Sequence, residues 1–183
     1  FGIVAIGLIE SMRWLESLLT RFRSHPYWVA FVGGALLAGL YAVAGRQYSG
    51  LGLPTIQAAL AGAGAIFVGA FAVKIVATSV TLGTGGSGGI ITPLFFIGST
   101  AGAAFAHALH LPVGAFAAFG FVALVAAGAN TPIAAAIMSM EMLPAPVGVF
   151  AAVSASAAFL IVGHRSVYSS QRLGMVKSAA LQT

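Results

Sequence analysis

The sequence predicts an all-α, polytopic membrane protein, a bundle of tilted, broken and half-length helices. Composition is the first ground. Of 183 residues, 60% are hydrophobic and 6% charged, against about 45–50% and about 25% in an ordinary soluble domain. Charge spacing is the second: residues 24–45 carry no full charge, and residues 75–140 contain no Asp, Glu, Lys or Arg. Such stretches must cross or re-enter a bilayer whose ~30 Å core takes about 20 helical residues. The third is glycine, whose 24 residues stand well above the usual ~7% and suit close helix packing or irregular backbone within a membrane.

Composition also excludes function classes. Eight Lys and Arg against three acids leave a net charge of +5, but the cations are scattered or sit at segment ends and form no basic stripe for a nucleic-acid backbone. The absence of cysteine removes disulfide frameworks, thiolate nucleophiles, zinc-thiolate sites and iron-sulfur clusters. No metal site and no cofactor is expected. Phe1 already lies in an apolar run without an initiator methionine or a basic leader, so the chain reads as a piece of a longer one.

Helices are expected near 1–23, 26–45, 53–62, 64–82, 92–109, 113–128, 132–143 and 145–163, with an amphipathic piece from about 167. Pro26 opens the second, the interface aromatics Tyr27 and Trp28 follow, and this helix reads as a span. Segments 53–62 and 132–143 are too short to cross alone. Between the fourth and fifth helices the chain breaks at 83–91, and non-helical backbone at membrane depth is tolerated only where protein or a watery cavity surrounds it. Broken and half-length helices mark transporter and channel sites. Arg13, Arg21, Arg23 and His25 gather at the end of the first helix, while Arg165, Arg172 and Lys177 follow the last. The positive-inside rule puts both ends in the cytoplasm; Arg46 and Lys74 are isolated and carry no orientation signal.

The break itself, Leu82-Gly83-Thr84-Gly85-Gly86-Ser87-Gly88-Gly89-Ile90-Ile91-Thr92-Pro93, fits three patterns. Residues 83–88 spell GxGxxG, but a dinucleotide site needs a βαβ unit and an acid about 20 residues on, and the next acid is Glu141. Residues 85–89 spell GxSxG, which leaves an intramembrane serine hydrolase using Ser87 as a different-class alternative, with His107, His110 and His164 as candidate bases. The third reading follows from backbone physics. Thr92 and Pro93 form a helix start, Thr as cap and Pro at a position whose N–H is orphaned anyway. Gly85, Gly86, Ser87 and Gly88 shape a loop in which positive φ is accessible, so that successive amides converge on the helix N-terminus and form an anion site. Backbone donors bind moderately and let the ion leave, as conduction requires. A flexible linker between spans, or a non-conducting structural module, is the bland counterpart.

On these residues the chain resembles the second half of the CLC family of chloride channels and proton/chloride antiporters, over nearly its whole length. Gly89-Ile90-Ile91-Thr92-Pro93 is similar to the family's G-x-x-x-P anion motif, residues 93–109 to the small-residue helix after it, residues 131–143 to a short helix ending in an acid, and Arg165-Ser166-Val167-Tyr168-Ser169 to the start of the last helix. Lys74 matches a lone cation in the helix before the loop.

The resemblance implies that residues 1–183 are the second of two inverted repeats, with the first repeat absent, in a protein carrying chloride or another halide. Gly89, Ile90, Ile91 and Thr92 would contact the anion through their backbone, and Tyr168 would donate its hydroxyl. It also implies a homodimer formed through helices 132–143 and 145–163, in a prokaryotic plasma membrane with a cytoplasmic C-terminus. Two departures stand out. Ile91 replaces the usual aromatic, and Thr92 replaces the usual small residue, which resembles the fluoride-exporting branch. Asn130 stands where many members carry arginine, and no G-x-E-x-P gating motif occurs, since that belongs to the first repeat. Channel and antiporter both stay open.

Other residues are weighed against blander roles. Tyr168 is expected in the pore in preference to an interfacial anchor. Lys74, mid-helix where an ionisable group is costly, has either an electrostatic role near the anion path or a structural pairing. Glu141 is expected to satisfy neighbouring backbone or a cation. His107 and His110, three apart on one helical face, read as interface histidines, and Gly98 with Gly102 forms a small-xxx-small contact face.

Overall fold

The computed structural model describes residues 1–20, 22, 25–62 and 66–168, and every regular element among them is helical. The order is α1 (Gly2–Thr20), α2 (Pro26–Ala44), a 3-10 turn (Arg46–Tyr48), α3 (Leu53–Leu60), α4 (Ala70–Gly83), α5 (Ile91–Leu109), α6 (Val113–Gly128), α7 (Pro132–Met142) and α8 (Ala145–Val162). Helices α2, α5 and α8 are long and apolar enough to cross a membrane, and α4, α6 and α7 are shorter apolar helices. The expected mixture of full-length and half-length helices is present. The amphipathic segment expected beyond Tyr168 lies outside the described residues, as do Arg21, Arg23, Arg172 and Lys177.

Two helix starts differ from expectation. The fourth helix begins at Ala70 and not near 64, because Gly69 caps it and the Ala70 amide closes a preceding turn on the Phe67 carbonyl at 2.9 Å. The fifth begins at Ile91, with Ile90 as N-cap and no side-chain cap. Thr92 is therefore not the cap and Pro93 is the third helical residue. The first four amides of any helix lack an intrahelical acceptor, so proline fits anywhere in that turn and does not mark its first residue.

Helix α6 is the centre. It packs against α1, α3, α5, α7 and α8, and every residue from Gly120 to Gly128 is buried, as expected of a helix apolar on all sides. Its closest neighbour is α5. A Cβ at Gly98 would strike the Gly120 carbonyl, one at Gly120 the Gly98 carbonyl, and one at Gly102 the Phe116 carbonyl. The Gly98 and Gly102 face is thus a backbone-to-backbone contact. Helices α7 and α8 are joined where the buried Ser139 hydroxyl donates to the Gly148 carbonyl at 3.0 Å.

Helices α4, α5 and α6 end alike. A residue in the left-handed region, Gly85 (φ 86), His110 (φ 55) or Asn130 (φ 59), is followed by an amide that reaches back five residues: Gly86 to Thr81 at 2.8 Å, Leu111 to Ala106 at 2.9 Å, Thr131 to Ala126 at 3.1 Å. This is the Schellman closure. It takes His110 off the helical face it was expected to share with His107.

Candidate anion site

The glycine break divides into two functions. Its first half closes α4: the amides of Thr84, Gly85 and Gly86 donate to Val80 (3.0 Å), Leu82 (3.2 Å) and Thr81 (2.8 Å). Its second half is unengaged. Among the described residues, the amides of Ser87, Gly88, Gly89, Ile90, Ile91 and Thr92 make no hydrogen bond to protein. Six donors in sequence thus lead into the N-terminus of a 19-residue helix, whose dipole favours negative charge there.

The glycines are not equivalent. Between 85 and 89, the positive φ that glycine makes accessible is taken only at Gly85. Gly86 is required sterically, because a Cβ there would lie 2.6 Å from the Thr81 carbonyl oxygen. At Gly88 and Gly89 a Cβ would meet nothing within 4 Å. Residues 85–89 are exposed, whereas Ile90 is buried and joins Ile91, Leu94 and Ile97 in one apolar cluster.

Tyr168 arrives on a strap leaving α8. Gly163, at φ 65, ends that helix, and the chain then crosses the C-terminus of α6. The Val167 amide donates to the Gly128 carbonyl at 2.9 Å, the Ser166 hydroxyl to the same oxygen at 3.4 Å, and the Tyr168 amide to the Ser166 hydroxyl at 3.2 Å. Gly128 in turn lies against Leu94 in the first turn of α5, and Val167 packs on the cluster that holds Ile90 and Ile91. The tertiary structure therefore brings the strap to the start of α5, and Tyr168 is 42% exposed.

Lys74 is buried in α4. Its ammonium donates to the carbonyls of Tyr48 (2.9 Å) and Gly50 (2.6 Å) and stands 5.1 Å from the centre of the Phe96 ring, on the second turn of α5. It holds the turn after α2, a contact no sequence spacing announces. His107 and His110 sit at the far end of α5, about 25 Å from its start at ~1.5 Å rise per residue, and the Ser87 hydroxyl has no hydrogen bond among the described residues. Nothing thus brings those two bases to Ser87. Glu141 is exposed at the end of α7 and pairs with no cation among the described residues, against expectation. Asn130 has a local reason: it takes the left-handed position closing α6, which Asn adopts more readily than arginine does.

Sequence reasoning missed a further contact. Glu10 on α1 accepts from Arg165 Nε at 3.0 Å and forms an ion pair with Arg13 at 3.6 Å. The partners of the first pair are too far apart in sequence for any local signal.

Residues 1–163 match the family model of the voltage-gated chloride channel. The chain belongs to the voltage-gated chloride channel family. A chloride/fluoride channel protein of Pseudomonas syringae pv. tomato is 37% identical over 97% of this chain and 40% of its own length. The crystal structure of a CLC-type fluoride/proton antiporter superposes with a TM-score of 0.86 at 28% identity, over 92% of this chain and 43% of that one. The chain thus spans about two-fifths of the length of these relatives. The members of that family are integral membrane proteins, and Tyr168 lies beyond the residues that the family model matches.

Proposed function

We propose that this chain is the second inverted repeat of a CLC-type transporter and carries half of a halide pathway. The unengaged amides from Ser87 to Thr92 at the N-terminus of α5 carry this reading. Gly89, Ile90, Ile91 and Thr92 hold the anion through main-chain N–H groups, and the Tyr168 hydroxyl donates from the strap. Open space at Gly88 and Gly89 supports it, since packing within the chain gives no reason for glycine there while an anion approaching the backbone does. The buried Lys74 ammonium adds positive potential beside α5. The first repeat supplies the opposite wall and any gating glutamate, because inverted-repeat sites form between both halves. The C-terminus faces the cytoplasm by the positive-inside rule.

The assembled protein is a homodimer through α7 and α8. Exposed Ile133, Ile137, Phe150, Val153 and Leu160 on those helices support that face. The membrane is a prokaryotic plasma membrane, in keeping with the Pseudomonas relative.

Fluoride is a second reading of the same site. The Thr92 hydroxyl lies in the first turn of α5 and makes no hydrogen bond among the described residues. A free hydroxyl beside the amides suits a small, strongly hydrogen-bonding anion, and both named relatives carry fluoride in their descriptions. Halide efflux from liposomes containing the complete protein tests both readings. Chloride or fluoride flux is expected, and Thr92→Val lowers fluoride flux more than chloride flux if fluoride is the native ion. Liposomes that leak neither halide refute the assignment.

A further inference from the structure

We propose that Glu10 is a positioning residue for the tyrosine end of the halide site, acting through Arg165; this rests on the assignment of Tyr168 to that site. After Gly163 turns the chain out of α8, the polar contacts of the strap include two that tie it to other helices. One is the Gly128 carbonyl, which takes Val167 and Ser166. The other is the Glu10 carboxylate, which accepts from Arg165 at 3.0 Å, three residues before the tyrosine. The strap is not packed on every side. A cavity of about 420 Å³ opens between α1, the end of α4 and the strap, lined by Ile9, Met12, Gly83, Gly85, Ser166 and Val167 among others.

The platform bearing Glu10 is itself fixed. Ala5, Leu8 and Ile9 are fully buried around it, and next to it Ser11 shares a 2.8 Å hydrogen bond with Ser79 of α4, the helix that leads into the glycine loop. Helix α1 therefore braces both halves of the site at once, the amide loop through Ser79 and the tyrosine strap through Glu10. Because the pair is about half exposed on each side, its effect is that of a screened ion pair, a bias on strap position and not a pillar of the fold.

The test uses the complete protein in liposomes and in detergent at low ionic strength. Glu10→Gln is expected to raise the halide dissociation constant roughly threefold, the scale of an exposed pair, with maximal flux and thermal midpoint unchanged. Glu10→Arg combined with Arg165→Glu restores affinity, Arg13→Gln leaves it unchanged, and Glu10→Gln adds nothing on a Tyr168→Phe background. Unchanged affinity in Glu10→Gln while Tyr168→Phe binds weakly overturns the positioning role alone, as does full additivity of the two. No effect of Tyr168→Phe removes the site assignment and this role with it.

Discussion

The amide of Val167 lies 2.9 Å from the carbonyl oxygen of Gly128, so the strap that follows the last described helix closes the C-terminus of the central one. The final carbonyls of a helix have no partner of their own, and here the Tyr168 segment supplies one. Gly128 also touches Leu94 in the first turn of α5. One residue of α6 thus couples the two elements that carry the proposed anion donors.

Tyr168→Phe in the assembled transporter keeps those backbone bonds and removes one hydroxyl. A hydrogen bond to a charged group is worth about 1.5–3 kcal/mol, so halide affinity measured by titration calorimetry should fall about tenfold to a hundredfold at an unchanged thermal midpoint. Unaltered affinity and flux would take the tyrosine out of the pathway.

Gly85 and Gly89 should separate folding from transport. Gly85 sits at φ 86 with nothing near its missing Cβ, so Gly85→Ala costs about 1–2 kcal/mol of conformational strain and lowers the unfolding midpoint. Gly89→Ala meets open space without positive φ, so the fold should tolerate it, while a methyl group beside the free amides weakens halide binding. Equal behaviour of the two variants contradicts this division of the loop.

Gly98→Ala drives a methyl into the Gly120 carbonyl across the α5–α6 contact. Overpacking of this kind costs about 1–3 kcal/mol. Thermal unfolding in detergent should show the loss, and a midpoint equal to that of the unmodified protein would mean that the two helices do not approach as closely as described.

Lys74→Met leaves the Tyr48 and Gly50 carbonyls without the donor they now share. An unsatisfied buried acceptor costs about 1–3 kcal/mol. The variant should unfold at lower temperature, and retention of full stability would show that neither bond contributes.

Much of this was legible in order along the chain. Long charge-free apolar runs at membrane depth satisfy their backbone as helices, and Pro and Gly mark where they stop. Hence α2, α3, α6, α7 and α8 were expected within one or two residues of their observed ends. The start of α5 was misplaced because proline is compatible with any position in a first turn. Composition could not tell the loop glycines apart: Gly85 takes a left-handed φ, Gly86 has no room for a Cβ, and Gly88 and Gly89 face open space.

By itself, then, the sequence determined membrane residence, helix lengths and the glycine break at 83–91, since these depend on composition and local backbone chemistry. Tertiary structure alone decided that Val167 closes the C-terminus of α6 at Gly128, that Lys74 serves the turn at Tyr48 and Gly50, and that Glu10 meets Arg165 beside the tyrosine strap. Such relations join residues distant along the chain. Their energies come from contacts that exist only after α6 has gathered its neighbours, and no local pattern encodes them.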